Sequence, residues 1–200
     1  SNLFIKKFLE KNNIKYKFNN EKKLISTIAN SLSKGKTIGW FQDKMEFGPR
    51  ALGNRSIIAD PRSDKMQKNL NLKIKFRESF RPFAPIVLKE KASKWFIFGG
   101  SSPYMLLVSS IKDDKKIRIK EGNYRGLKKL YLKRSIIPAV THVDYSARIQ
   151  TLTKDNNRIY KLLKKFDEIT NCPILVNTSF NVKDEPIVCS PLDAYKCFIN

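Results

Sequence analysis

Apolar positions recur in two rhythms along this chain. Between Asn20 and Lys34, Leu24, Ile25, Ile28 and Leu32 fall at three- and four-residue steps, which predicts one face of a helix ending at Gly35. The same rhythm returns from Asn156 to Ile169 through Ile159, Leu162, Leu163 and Phe166. Compact apolar runs separate these helices: residues 37–41, 56–60, 84–88, 103–110, 174–179 and 186–190 predict strands, as do AVTHVD (139–144) and ARIQTL (147–152). A short helix is expected over residues 64–72, capped by Ser63, and another opens at Pro191. Residues 42–54 hold too many breakers for a regular element and read as a loop, whereas the polar, lysine-rich stretch 112–134 reads as an exposed excursion. Helices and strands interleave without an internal repeat. The pattern predicts one α/β domain over residues 1–200, a mixed sheet covered by helices.

Composition narrows the class. At 200 residues and 41% hydrophobic, the chain is long enough to bury a substantial core. Nothing in it approaches a membrane-spanning apolar run, and SNLFIKKFLEKNN lacks the plan of a secretory signal, so a cytoplasmic protein without membrane attachment is expected. The closing helix, YKCFIN, has no stop signal, which suits a fragment of something longer. Cys172, Cys189 and Cys197 are odd in number and lack metal-ligand spacing, so buried reduced thiols are expected and no metal site.

The formal charge of +22 invites a polyanion. Thirty of the forty basic residues are lysines scattered along the chain, the mark of a solvated surface. Arginine behaves differently: Arg50, Arg55, Arg62, Arg77 and Arg81 fall within thirty-two residues. A guanidinium is planar, always charged and able to pair with phosphate or carboxylate through two parallel hydrogen bonds, so its clustering points to an anion to be gripped. Bracing of the loop by Arg50 and Arg55 against Glu46 and Asp60 stands as the alternative for each arginine taken singly.

Two further stretches carry candidate chemistry. In KIKFRESFRPFAP, Lys75 and Arg77 stand two apart, and in an extended segment they would project from one face toward one polyphosphate, with Phe76, Phe80 and Phe83 either anchoring the segment in the core or offering a ring to a base. In NTSFN, at the C-terminal end of an apolar strand, Asn177, Ser179 and Asn181 either donate to a ligand or simply close a turn. His142 is the sole histidine and reads as a core residue bonded to Asp144, while Arg148 stands apart from other basic residues. Gly99-Gly100 reads as a flexible turn, and neither a Walker loop nor GxGxxG is present.

Together, EFGPRALGNRSIIADPR, KIKFRESFRPFAP, THVDYSARIQT and LVNTSFNVKDEPIVCSPLDA resemble, in motif order from Gly35 to Phe198, the C-terminal part of O-carbamoyltransferases of the NodU/CmcH type. The resemblance implies a YrdC-like domain, a twisted mixed β-sheet flanked by helices, linked covalently to an N-terminal transferase domain absent here. It implies binding of ATP, with Mg2+ carried on its phosphates, and of carbamoyl phosphate. The two would form carbamoyl adenylate, releasing pyrophosphate, and the missing domain would pass the carbamoyl group to a hydroxyl acceptor. By motif, the catalytic set is Lys75, Arg77, Arg148 and His142, and the ATP and carbamoyl phosphate contacts are Arg50, Asn54, Arg55, Asn177, Ser179 and Asn181. Tyr145 and Asp184 stand where the family pattern has glycine, which puts those turns in question. The rival readings are a non-catalytic RNA-binding YrdC-like domain and an inert docking module.

Overall fold

The computed structural model describes residues 2–119 and 126–199. Six strands form one sheet: β1 (Ile38–Phe41), β2 (Arg55–Ala59), β3 (Ala84–Leu88), β4 (Leu107–Ser110), β5 (Ser146–Leu152) and β6 (Ile174–Ser179), in the order β1-β2-β6-β3-β5-β4. Only the β3–β5 pair is parallel, with Ile86 opposite Gln150; every other neighbouring pair is antiparallel. This is the mixed α/β sheet expected. Buried on both faces, β3 reads as an unbroken apolar run rather than an alternating one, as an interior strand should.

Helix α1 (Asn2–Lys11) was not legible in the hydrophobic pattern and buries no residue. Helix α2 (Glu21–Ser33) starts where Asn20 Oδ1 accepts the Lys23 N–H at 2.9 Å, satisfying one of the donors a helix start leaves free. It packs against α5 (Asn157–Thr170), which itself lies against β3 and β6. The expected apolar stripes meet there: Leu32, Leu162, Leu163 and Phe166 are fully buried. Removing each from water is worth about 1.5–3 kcal/mol. Helices α3 (Met66–Lys73), α4 (Lys89–Ala92) and α6 (Pro191–Ile199) complete the layer elements.

Several local expectations are corrected. Ser63 does not cap α3 through its side chain; its carbonyl accepts the Met66 N–H instead. Strand β4 begins only at Leu107, because Met105 adopts φ 58°. AVTHVD is not a strand: Pro138–Val140 forms a 3-10 turn, and the Asp144 carboxylate accepts both the Ser146 N–H and hydroxyl, closing a tight turn. Residues 186–190 run without regular structure, held where Val188 N–H donates to Phe180 and the Cys189 carbonyl accepts from Arg55. Phe83 is core and Phe80 half-buried, but Phe76 is exposed. Cys172 is buried, its thiol pushed up to about 12 by desolvation, whereas Cys197 is half-buried and Cys189 exposed. Part of the lysine-rich excursion, residues 120–125, lies outside the described residues. Among the described residues, no helix is long and apolar enough to cross a membrane.

Candidate functional site

The arginine-bearing loop leaves β1 and returns into β2, and three devices hold it. Glu46 Oε1 accepts the backbone N–H groups of Leu52 (2.6 Å), Asn54 (2.7 Å) and Arg55 (3.3 Å), so one carboxylate gathers the loop's far limb. From the sheet, Asn177 Nδ2 donates to the Ala51 carbonyl at 2.9 Å and to Gln150 Oε1 at 2.7 Å, while Gln150 Nε2 donates to the Leu52 carbonyl at 2.7 Å. Both amides are almost wholly buried, so breaking either would strand polar groups away from water. Gly53 is required twice over: its φ is +116°, and a Cβ there would sit 3.3 Å from Ile159 Cγ2.

The second wall is built by the chain after α3. Lys75 and Arg77 do not lie in an extended segment. The Lys75 N–H turns back to the Leu70 carbonyl (2.9 Å), the Arg77 N–H turns back to the Asn71 carbonyl (3.1 Å), and Phe76 between them has φ 43°. This helix-ending turn separates the two cations. Lys75 Nζ lies among four oxygens: Ser179 O (2.7 Å), Ser179 Oγ (3.2 Å), Asn181 O (2.9 Å) and Asn181 Oδ1 (2.6 Å). It therefore shapes the turn after β6, and Ser179 and Asn181 meet it there. Burial, with the Arg77 charge nearby, pushes the Lys75 ammonium down to about 8. Arg77 instead donates through Nε to Asn71 Oδ1 at 2.7 Å and lies 4.9 Å above the Phe83 ring. The same Asn71 donates to the Ser79 and Arg81 carbonyls, so one buried amide orients the segment.

Between these walls lies a cavity of about 460 Å3 lined by Arg50, Arg77, Arg81 and Arg148, with His142, Met105 and Asn177–Ser179 at its sides. Among the described residues, no carboxylate lines it. Desolvation, then repulsion by Arg81, lowers the Arg77 pKa; desolvation, then repulsion by Arg50, lowers that of Arg148. Guanidinium groups stay protonated under such pressure, so the cavity carries positive charge that no carboxylate among the described lining residues neutralises, Glu78 alone acting favourably on Arg77 from outside it.

Of the residues singled out in the sequence, the fold brings Arg50, Arg77, His142, Arg148, Asn177 and Ser179 to one cavity, with Lys75 and Asn181 joined to it through Ser179. Arg55 and Asn54, expected among the anion contacts, lie outside this cavity. The Arg55 guanidinium donates to the carbonyls of Gln42, Asp43, Asn54 and Cys189 and lies 3.6 Å above the Phe41 ring, with only 4% of the residue exposed. Asn54 donates to the Lys44 carbonyl and accepts from Gln42. His142 is exposed at the cavity rather than buried against Asp144, which bonds Ser146. Sequence reasoning left out Arg81, although it belongs to the same cluster, and missed Gln150 and Asn71, whose roles depend on distant carbonyls. Tyr145 (φ 64°) and Asp184 (φ 62°) both hold left-handed backbone, the conformation that favours glycine. Among the described residues, no group of three His, Cys, Asp or Glu side chains is placed to hold a metal ion.

Residues 29–200 match the family described as carbamoyltransferase C-terminus. An uncharacterized protein of Synechocystis is 51% identical over 187 residues, covering 92% of this chain and 30% of that protein. Nodulation protein NolO of Bradyrhizobium diazoefficiens is 41% identical over 180 residues (88% and 30%), and nodulation protein U of Sinorhizobium fredii is 37% identical over 161 residues (78% and 25%). The chain thus spans less than a third of the length of these relatives. Among solved structures, full-length HypF in its phosphate- and nucleotide-bound form superposes with a TM-score of 0.53 at 16% identity, over 92% of this chain and 20% of HypF, a likeness of fold.

Proposed function

Because the chain belongs to the carbamoyltransferase C-terminus family, we propose that its arginine cavity binds ATP and carbamoyl phosphate and joins them as carbamoyl adenylate. One observation supports this most: four arginines converge on a concave site that offers, among the described residues, no carboxylate to pair with them. Structural arginines find their counterions within the protein, as Arg62 does with Asp60 at 2.6 Å. Cations left uncompensated in a cavity await an anion from solution.

The chemistry asked of the protein is chiefly positioning and charge neutralisation. Overall, carbamoyl phosphate, ATP and water become carbamoyl adenylate, phosphate and pyrophosphate. Water first cleaves carbamoyl phosphate to carbamate and phosphate; the carbamate oxygen then bonds to the α-phosphorus as the bond to pyrophosphate breaks. Arg77 and Arg148 lie on different elements, so they would hold the phosphate chain from two sides and fix it in line for attack. Ser179 would donate its hydroxyl from the end of β6, its place set by Lys75. His142 lines the same cavity, beside Arg81 and Arg148. A lining that is cationic and neutral among the described residues suits magnesium arriving on phosphate oxygens rather than on protein ligands. The carbamoyl group would then pass to a hydroxyl acceptor in the covalently linked remainder of the protein, within the cytoplasm.

Incubation of the purified protein with ATP, carbamoyl phosphate and magnesium, followed by pyrophosphate release, tests the proposal. Release that requires both substrates and falls with Arg77→Lys, which keeps charge but loses the fork, is the expected result. Absence of saturable ATP binding, together with tight RNA retention that weakens steeply with salt, would overturn it in favour of an RNA-binding module.

A further inference from the structure

Asn71 is a fully buried amide near the end of α3, beside Leu70. Its carbonyl and side chain both reach forward to one short stretch of chain. The Asn71 carbonyl accepts the Arg77 N–H at 3.1 Å and Oδ1 accepts Arg77 Nε at 2.7 Å, while Nδ2 donates to the carbonyls of Ser79 (3.2 Å) and Arg81 (2.8 Å). The partners fix which way the amide points: turned over, it would set its NH2 against a guanidinium N–H and its oxygen against two carbonyls. Arg77 is thereby gripped along one edge, with the Phe83 ring 4.9 Å from its face. Its Nη1 and Nη2 groups have no hydrogen-bond acceptor among the described residues, and Arg77 and Arg81 both line the arginine cavity.

We infer that Asn71 is the positioning residue of the anion site: it orders Arg77 and the Arg81 segment before any ligand arrives and, being neutral, does so without cancelling their charge. The inference rests on the anion-binding reading above and adds to it the residue on which that binding depends. Arg62 shows the alternative within the same molecule. Its guanidinium is also held at Nε, but by the Asp60 carboxylate, which fixes the group and neutralises it together. A cation positioned by an amide keeps its attraction for phosphate, and the entropy of ordering its long side chain is lost in folding rather than in binding. An apolar residue at position 71 would leave Arg77 unordered. A carboxylate there would leave it already satisfied.

Calorimetric titration with inorganic triphosphate and magnesium, in the wild type, Asn71→Ala, Arg77→Ala and the double variant, tests this. Asn71→Ala should weaken binding about ten-fold in the wild-type background and less than about three-fold once Arg77 is already alanine, because its effect passes through Arg77. A residue that served stability alone would cost the same factor in both backgrounds, and that result would overturn the proposal. Asn71→Asp, nearly identical in shape, should bind triphosphate more weakly than the wild type at neutral pH and recover toward it, compared at equal pH, as acid protonates the new carboxylate. Affinity matching the wild type's at neutral pH would also overturn the proposal. The wild type carries a test of its own where the variants fold poorly: without ligand, the Arg77 Nε–H should give an NMR signal protected from exchange with water and missing from Arg77→Ala. Its absence would mean that Arg77 is not ordered in advance. If that signal is present while the wild type binds no triphosphate, the anion reading itself fails and Asn71 orders only a structural arginine.

Discussion

Arg55 and Arg148 are the same residue type in the same domain, yet they occupy opposite physical situations. Arg55 is enclosed by backbone carbonyls from three separate stretches and stacked on Phe41, so its charge is consumed in holding β1, β2 and the chain before α6 together. Arg148 projects from β5 into a cavity where its nearest charged influence is another arginine, Arg50. Counting arginines in a motif therefore does not count ligand contacts. What separates the two roles is whether oxygen atoms of the protein already occupy the guanidinium.

The sharpest way to break this comparison is to remove the enclosed member. Arg55→Met leaves four carbonyls without their donor and should cost about 4 kcal/mol, read as a large fall in denaturation midpoint. A loss below 1 kcal/mol would mean that Arg55 braces nothing.

Lys75 stands between the two extremes, enclosed yet desolvated. Its folded pKa of about 8 lies below the unfolded value, so between pH 8 and about 10.4 the unfolded chain binds the extra proton and stability rises with pH. Relative to Lys75→Met, the wild type should gain up to about 3 kcal/mol over that window, measured by denaturant unfolding at each pH. Parallel curves for the two proteins would contradict this.

Arg148→Ala removes a cation held against its like. Binding of inorganic triphosphate should weaken about thirty-fold, whereas thermal stability should hold or rise slightly. Destabilisation as large as that of Arg55→Met would erase the distinction.

The smallest effect is expected at the two strained turns. Tyr145→Gly and Asp184→Gly relieve left-handed backbone at φ 64° and 62° and should each stabilise by about 1 kcal/mol, partly offset by glycine's greater unfolded freedom. Thermal melts of the single variants decide it.

Periodicity recovered α2, α5 and the buried strands β3 and β6 almost to their ends, because these elements each satisfy a local rule: apolar residues on one face, or an apolar run long enough for a sheet interior. It failed at AVTHVD and at residues 186–190, which are as apolar as true strands: Pro138–Val140 closes a 3-10 turn, and residues 186–190 run without regular structure, held at Val188 by a bond to the Phe180 carbonyl. Lys75 and Arg77 were expected to project from one extended face, but Phe76 between them takes a left-handed turn that separates them. Asn71, Gln150 and Asn177 carry much of the site's construction through bonds to backbone carbonyls, which no side-chain motif announces.

By itself, the chain of residues determined the α/β class, the order of its main elements and the clustering of arginine, because each follows from spacing between near neighbours. Only the folded molecule decided which cations face a shared cavity and which are spent on the framework. That choice depends on oxygens contributed by residues more than a hundred positions away, as Cys189 is from Arg55 and Ser179 from Lys75. An isolated guanidinium looks the same in sequence whether a carbonyl or a phosphate is destined to meet it.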